Sequence, residues 1–363
     1  MDLRKGGALD ALRFLAAAFI LVFHFGDDAP TRLRDIHEFF GRGYLATDFF
    51  LMLSGFILAR VYGEQVLSGR ISAMQFVARR LARIYPAHLI TLSALVVLVI
   101  VGGIAGLPFS HPERFDWSAL PAHLLMVQGW GFTQATWNLP TWSISALAAC
   151  YVAFPWLWRR LRLVGRPFAC LAIALAVMEA GDLLTHLLTG EHQMSVSLQW
   201  GLLRAVPLFV AGLALARMVE TWRPAAGLAL AAAACGAVVF AVSAALDGPD
   251  LVNLLATMAV VAGLGAGGGP VLPGAAWAAK ISFSLFITHI PAAVFYFDAL
   301  APLFARLPQG AAVQWAVWGG AIVFALLVGA VFHHLMDAPI QRRLRAALFS
   351  PRRTLGSAAP QEA

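Results

Sequence analysis

The segment LDALRFLAAAFILVFHF, residues 9–25, places two reactive groups in an almost wholly apolar run: the guanidinium of Arg13 and the imidazole of His24. Eleven positions separate them. On a helix that is about three turns, so both share one face, roughly 16 Å apart along the axis. A neutral imidazole can act as a general base near pH 7, and a guanidinium binds carboxylate or phosphate through paired N–H donors. Asp10 stands three residues before Arg13 and can pair with it on the same face. A plainer reading has Arg13 snorkelling to one interface and His24 capping the opposite helix end. The spacing alone leaves both readings open.

Further polar groups recur inside apolar stretches. In TDFFLMLSGFILAR (47–60), Asp48 is expected close in depth to His24, either orienting it as a carboxylate or capping the helix start. Ser54 and Gly55 lie two turns further in, where small residues permit close packing. The stretch ARRLARIYPAHL (78–89) clusters Arg79, Arg80 and Arg83 beside Tyr85 and Pro86. Such a cluster suits a polyphosphate, although basic flanks of membrane spans have the same composition. In WNLPTWSISALAACYVAFPWLW (137–158), Asn138, Trp142, Ser143 and Ser145 can line a polar mouth, or the tryptophans can anchor an interface. His289 falls within ISFSLFITHIPAAVFYF (281–297), and His333 and His334 within FHHLMDAP (332–339). A single intramembrane histidine is more often a packed, hydrogen-bonded residue than a catalyst. No HExxH or Cys/His spacing supports a metal.

These groups need a scaffold, and the composition says which kind. Of the 363 residues 60% are hydrophobic and only 12% charged, with mean hydropathy +0.76; soluble domains average about 25% charged residues. Lipid is the expected solvent. The apolar runs predict an all-α, polytopic integral membrane protein with ten spans, near 9–25, 44–60, 84–106, 142–158, 167–188, 200–217, 225–246, 251–266, 280–297 and 311–335. The first run lacks a signal-peptide pattern and is expected to remain as a span. Cys150, Cys170 and Cys235 are the only cysteines and lie in apolar stretches, so they give no disulfide framework.

A formal charge of +7 would suit nucleic acid, but the basic residues flank spans. Of the 26 Lys and Arg, 19 fall on the side of the amino terminus, Arg32, Arg34, Arg42, Arg114 and Arg306 on the other, and Arg13 and Arg204 inside spans. The positive-inside rule then puts both termini in the cytoplasm, and no nucleic-acid partner is expected. One domain is expected over 1–345, with a disordered cytoplasmic tail over 346–363. The stretch SALPAHLLMVQGW (118–130) is too short to span and is expected at the interface or as a re-entrant segment.

In order along the chain, these stretches resemble the acyltransferase-3 family of bacterial membrane O-acyltransferases. LDALR with a histidine eleven residues after its arginine is similar to that family's first span. DFFLMLSGFIL resembles its VDLFFVLSGF, RRLARIYP its basic turn, ISFSLFITHIP its ISYSLYLxHxP, and HHLMDAPIQRRLR its closing segment. The resemblance covers residues 9–345 and implies transfer of an acyl group, acetyl first among the candidates, from cytoplasmic acyl-CoA to a hydroxyl of a carbohydrate or lipid-linked glycan at a bacterial inner membrane. It implies that His24 is catalytic with Arg13 beside it, and that Arg80 and Arg83 hold donor phosphates.

Combined with the residue-by-residue reading, the expected catalytic set is His24, Arg13 and Asp48. The expected donor-binding set is Arg79, Arg80, Arg83, Tyr85 and Ser54, and the acceptor-binding set Asn138, Trp142, Ser143 and His289. One position departs from the family: Leu147 stands where a glutamate is common. A specialised acceptor, altered activity and an inactive homologue all fit that departure. A transporter or flippase is the reading from a different class, because the same buried groups can line a proton or substrate path.

Overall fold

The computed structural model describes residues 6–134, 136–267 and 269–349. Ten long helices occupy the positions of the ten apolar runs: α1 Ala8–Phe25, α2 Leu45–Leu67, α3 Ala73–Ile104, α4 Thr141–Leu161, α5 Pro167–Thr189, α6 Gly201–Trp222, α7 Ala226–Ala245, α8 Asp250–Gly267, α9 Ala275–Ala293 and α10 Ala311–Phe332. Among the described residues, eight helices are long and apolar enough to cross a membrane. The other two long helices are α4, whose first turns are polar, and the short α8. Buried Trp142, Ser143 and Ser145 show where the polarity of α4 goes: into the bundle, away from lipid. The chain is an all-α polytopic membrane protein. Helix α10 continues through a π-helical segment, His333–Asp337, into α11 Ala338–Phe349. The expected tail from 346 lies mostly outside the described residues.

Two helices form the centres of packing. Helix α6 packs against α2, α4, α5 and α8, and α9 packs against α1, α3 and α10. Glycine permits the tightest of these crossings. A Cβ on Gly55 of α2 would strike the carbonyl of Phe209, and one on Gly212 of α6 would strike the carbonyl of Met52. The two backbones therefore touch reciprocally, the small-residue packing that substitutes for a hydrophobic driving force in lipid.

Helix α3 is 32 residues, about 48 Å, so it outruns the ~30 Å hydrocarbon core. Its start is fixed by a capping box between Ser72 and Gln75. The segment 118–130 does not span the bundle and packs against α3 and α4. Its short helix Leu120–Leu124 descends beside α3, where Tyr85 donates its hydroxyl hydrogen to Leu124 O (2.7 Å) and the ring of His88 meets His123 O (2.8 Å). Its far end is tied to α4, with Gly129 N donating to Ser145 Oγ (3.2 Å) and Trp130 Nε1 to Ser145 O (2.9 Å).

The amino end of α1 lies beside that of α9, joined by an antiparallel bridge between Gly7 and Val271. Just inside, Trp277 Nε1 donates to His334 Nε2 (3.2 Å), which puts the end of α10 on the same side as the start of α1.

Candidate active site

Three cavities neighbour one another, and α1 borders the second and third. A mouth of about 370 Å³ is bounded by Tyr62, Arg79, Arg80, Arg83, Gln341 and Arg345. Beyond it an inner cavity of about 240 Å³ takes walls from five helices: Arg13 from α1, Phe50 to Leu58 from α2, Arg80 and Arg83 from α3, Ser143 to Tyr151 from α4, and Ser282 to Phe286 from α9. Arg80 and Arg83 border both spaces. An outer cavity of about 300 Å³ is lined by His24, Tyr44, Thr47, Arg114, Trp142 and Arg204, among others. It adjoins the inner one where Trp142 gives way to Ser143 on α4. Arg13 and His24 thus face successive chambers from one helix face.

The arginines of the inner end differ in their partners. Arg83 donates to the buried carboxylate of Asp337 (2.8 Å), with its guanidinium 4.4 Å from the ring centre of Phe283. Arg13 reaches Asp10 at 3.5 Å, and Asp10 also accepts the backbone N–H of Gly6 (2.8 Å). Arg80 donates to the hydroxyl of Tyr151 (3.2 Å), stacks on that ring and keeps a buried Nε without a partner. Among the described residues no carboxylate lies within 4 Å of Arg80. A cation held by tyrosine rather than by an acid keeps its field for a ligand. Arg345 and Gln341, missed in the sequence, reach the mouth from α11, which continues α10 through the π-helical segment. Gln341 Nε2 donates to the carbonyls of Ala82 and Arg83, both at 3.0 Å.

At the outer end, His24 Nδ1 lies 2.8 Å from His289 Nε2, with the two rings within 11° of parallel. His289 Nδ1 is 3.3 Å from the carbonyl of Leu285, one turn back on α9. Asn138 fixes the neighbouring turn, its Nδ2 donating to Ile287 O (2.9 Å).

Several expected placements are corrected. Asp48 neither caps α2, which begins three residues earlier, nor meets His24. It accepts both arms of Arg204, from Nε at 2.7 Å and NH2 at 2.8 Å. Arg204 also donates to Met194 O (3.1 Å) and lies over the rings of Tyr44 and Trp142. A lone arginine and a lone aspartate inside separate spans are the signal that could have paired them, since uncompensated charge in lipid is expensive. His289 and Asn138 are fully buried and border none of the three cavities, so neither meets an acceptor there. Tyr85 holds the segment 118–130 and lies outside the mouth. Ser54 and Ser143 do line the inner cavity, each with its hydroxyl bonded to a nearby backbone carbonyl. Trp142 lines the outer one. Leu147 sits in the inner wall, between the arginines and the outer chamber. Among the described residues there is no group of three metal-ligating side chains.

An apolar bundle whose motif-bearing helices enclose neighbouring cavities, two bordered by the arginines of α3 and the third by an imidazole, is the arrangement of a membrane group-transfer protein. The chain matches the family described as an acyltransferase domain (acyltransferase 3) over residues 7–334, and it belongs to that family. It is 35% identical over 164 residues to acyltransferase MdmB of Streptomyces mycarofaciens, covering 42% of this chain and 39% of that protein. It is 36% identical over 104 residues to protein 2 in the picA locus of Rhizobium radiobacter, covering 28% of this chain and 49% of that protein. The chain therefore spans about half or less of the curated relatives it matches. No solved structure matches.

Proposed function

We propose that the protein transfers an acyl group, acetyl first among the candidates, from cytoplasmic acyl-CoA to a hydroxyl of a carbohydrate or lipid-linked glycan in a bacterial inner membrane. The observation that carries this reading is the series of cavities, with Arg80 and Arg83 bordering the first two and Arg13 and His24 presented to the second and third from one face of α1. Both termini lie in the cytoplasm by the bias of basic residues, which makes the arginine mouth the cytoplasmic entrance.

In this reading Arg79, Arg80, Arg83 and Arg345 hold the donor's phosphates as paired N–H donors. The pantetheine arm runs past Arg13 and Leu147, bringing the thioester carbonyl to the level of His24. The acceptor enters the outer cavity beside Trp142. Neutral His24 removes the hydroxyl proton as the oxygen attacks the thioester carbon. The C–O bond forms, the C–S bond breaks, and the proton on His24 passes to the departing thiolate. The apolar walls exclude water, which would otherwise hydrolyse the thioester.

The test is acyl-CoA labelled in its acyl group, supplied to membranes containing the protein. Label is expected to leave CoA for a glycan fraction, and acyl-CoA to raise the unfolding temperature of the purified protein; His24→Ala is expected to abolish transfer and keep the stabilisation. Transfer that survives His24→Ala overturns the mechanism. No transfer and no stabilisation by any acyl-CoA overturns the donor and favours transport.

A further inference from the structure

We propose that His289 is a positioning residue: a neutral imidazole that fixes the tautomer of His24 and so exposes its Nε2 as the base. This rests on the reading of His24 given above and assigns to a second histidine the orienting role expected of Asp48. The tautomers follow from what each partner can do. The carbonyl of Leu285 only accepts, so His289 Nδ1, 3.3 Å away, carries that ring's proton. The lone pair of His289 is then on Nε2. Across 2.8 Å from it stands His24 Nδ1, which must donate. A neutral His24 has one proton, now committed to Nδ1, so its Nε2 is unprotonated. Nε2 has no protein partner among the described residues, and the ring lines the outer cavity. In the opposite arrangement the Nδ1 lone pair of His289 would face a carbonyl oxygen.

His289 is fully buried and borders none of the three cavities, so it reaches the reaction only through His24. Its own position is set by α9, whose adjoining turn is held by Asn138. A neutral partner suits the site. The usual orienting group is a carboxylate, which would sit in the bundle as an uncompensated charge whenever His24 is neutral. With His289, charge appears only when His24 takes the hydroxyl proton on Nε2. Its Nδ1–H bond to His289 then becomes charge-assisted and stronger. His289 keeps its Nδ1 proton throughout, and no proton passes to it.

Two measurements test this. The first is the ¹⁵N spectrum of histidine-labelled protein in membranes at pH 8, with the His24 signals assigned by their loss in His24→Gln. Protonated Nδ1 and bare Nε2 are expected on His24; a proton on Nε2 overturns the proposal, and the spectrum requires no activity. The second compares His289→Gln, whose side-chain oxygen can still accept, with His289→Leu, which cannot. Unfolding temperatures are recorded for both. His289→Leu is expected to lose about 100-fold or more in kcat with both KM values unchanged, the scale of misdirected acid–base catalysis. His289→Gln is expected to recover at least tenfold of that loss. Folded Gln and Leu variants with equal kcat overturn the role, as does a raised acceptor KM at unchanged kcat. If His289→Leu does not fold, the Gln variant within tenfold of the parent supports the role, and a larger loss in a folded Gln variant overturns it. Absence of any transfer by the parent, with the expected tautomer seen, sinks the acyl-transfer reading and leaves this geometry standing.

Discussion

Substituting Asp48 by leucine strips the buried Arg204 of its bidentate counterion. The arginine side chain is 6% exposed and the aspartate 1%. Leaving one member of a buried ion pair alone costs about 3–5 kcal/mol. Arg204 retains the carbonyl of Met194 and the faces of Tyr44 and Trp142, at 5.4 and 5.7 Å from the ring centres. Those contacts place the expected loss at the lower end, about 3 kcal/mol, or roughly two powers of ten in the folded-to-unfolded ratio. The double variant Asp48→Leu/Arg204→Met removes both charges together. Exchanging a buried pair for apolar residues is neutral or stabilising by about 1–4 kcal/mol, so the double variant is expected to regain what the single one lost. The assay is denaturant unfolding of the purified protein in one detergent for parent, single and double variants. A single variant as stable as the parent, or a double variant no more stable than the single, refutes the pairing as a source of stability. Turnover by a stable double variant would independently remove Asp48 from the orienting role.

Two further outcomes follow from the inner cavity. Arg83→Ala should destabilise by about 1–3 kcal/mol, because Asp337 is left buried with only the longer contact to His333 (3.5 Å). Arg83→Ala/Asp337→Ala should restore stability without restoring donor affinity, read from unfolding and from KM for acyl-CoA in parallel. Leu147→Glu introduces a carboxylate beside Arg13, Arg80 and Arg83. It should raise KM for acyl-CoA about tenfold or more by competing for the guanidiniums, with little change for an acyl-pantetheine donor that lacks phosphates; equal effects on the two donors would show that Leu147 acts by shape alone.

Much of the scaffold was readable along the chain. The ten apolar runs became the ten long helices because lipid imposes its requirement locally, run by run. That 118–130 does not span also followed locally, from a hydrophobic stretch too short to cross. Partners were less readable. Asp48 and Arg204 stand 156 positions apart, and His24 and His289 stand 265 apart. Depth in the membrane placed Asp48 near His24, but rotation about the α2 axis decides which neighbour a side chain faces. The composition of α2 is too uniformly apolar to declare that rotation. The π segment His333–Asp337 was equally silent, and it turns Asp337 onto Arg83 and brings Gln341 and Arg345 to the mouth.

By itself, then, the sequence determined the solvent, the number and order of the helices, and the stripe that carries Arg13 and His24, since each depends on composition or on the 3.6-residue period. The tertiary structure decided the pairings. It gave Asp48 to Arg204, His289 to His24 and Asp337 to Arg83, left Arg80 with tyrosines, and set Leu147 into the wall between the arginines and the outer chamber. A buried polar group takes its role from the group it meets across the bundle, and that meeting is fixed only when the helices pack.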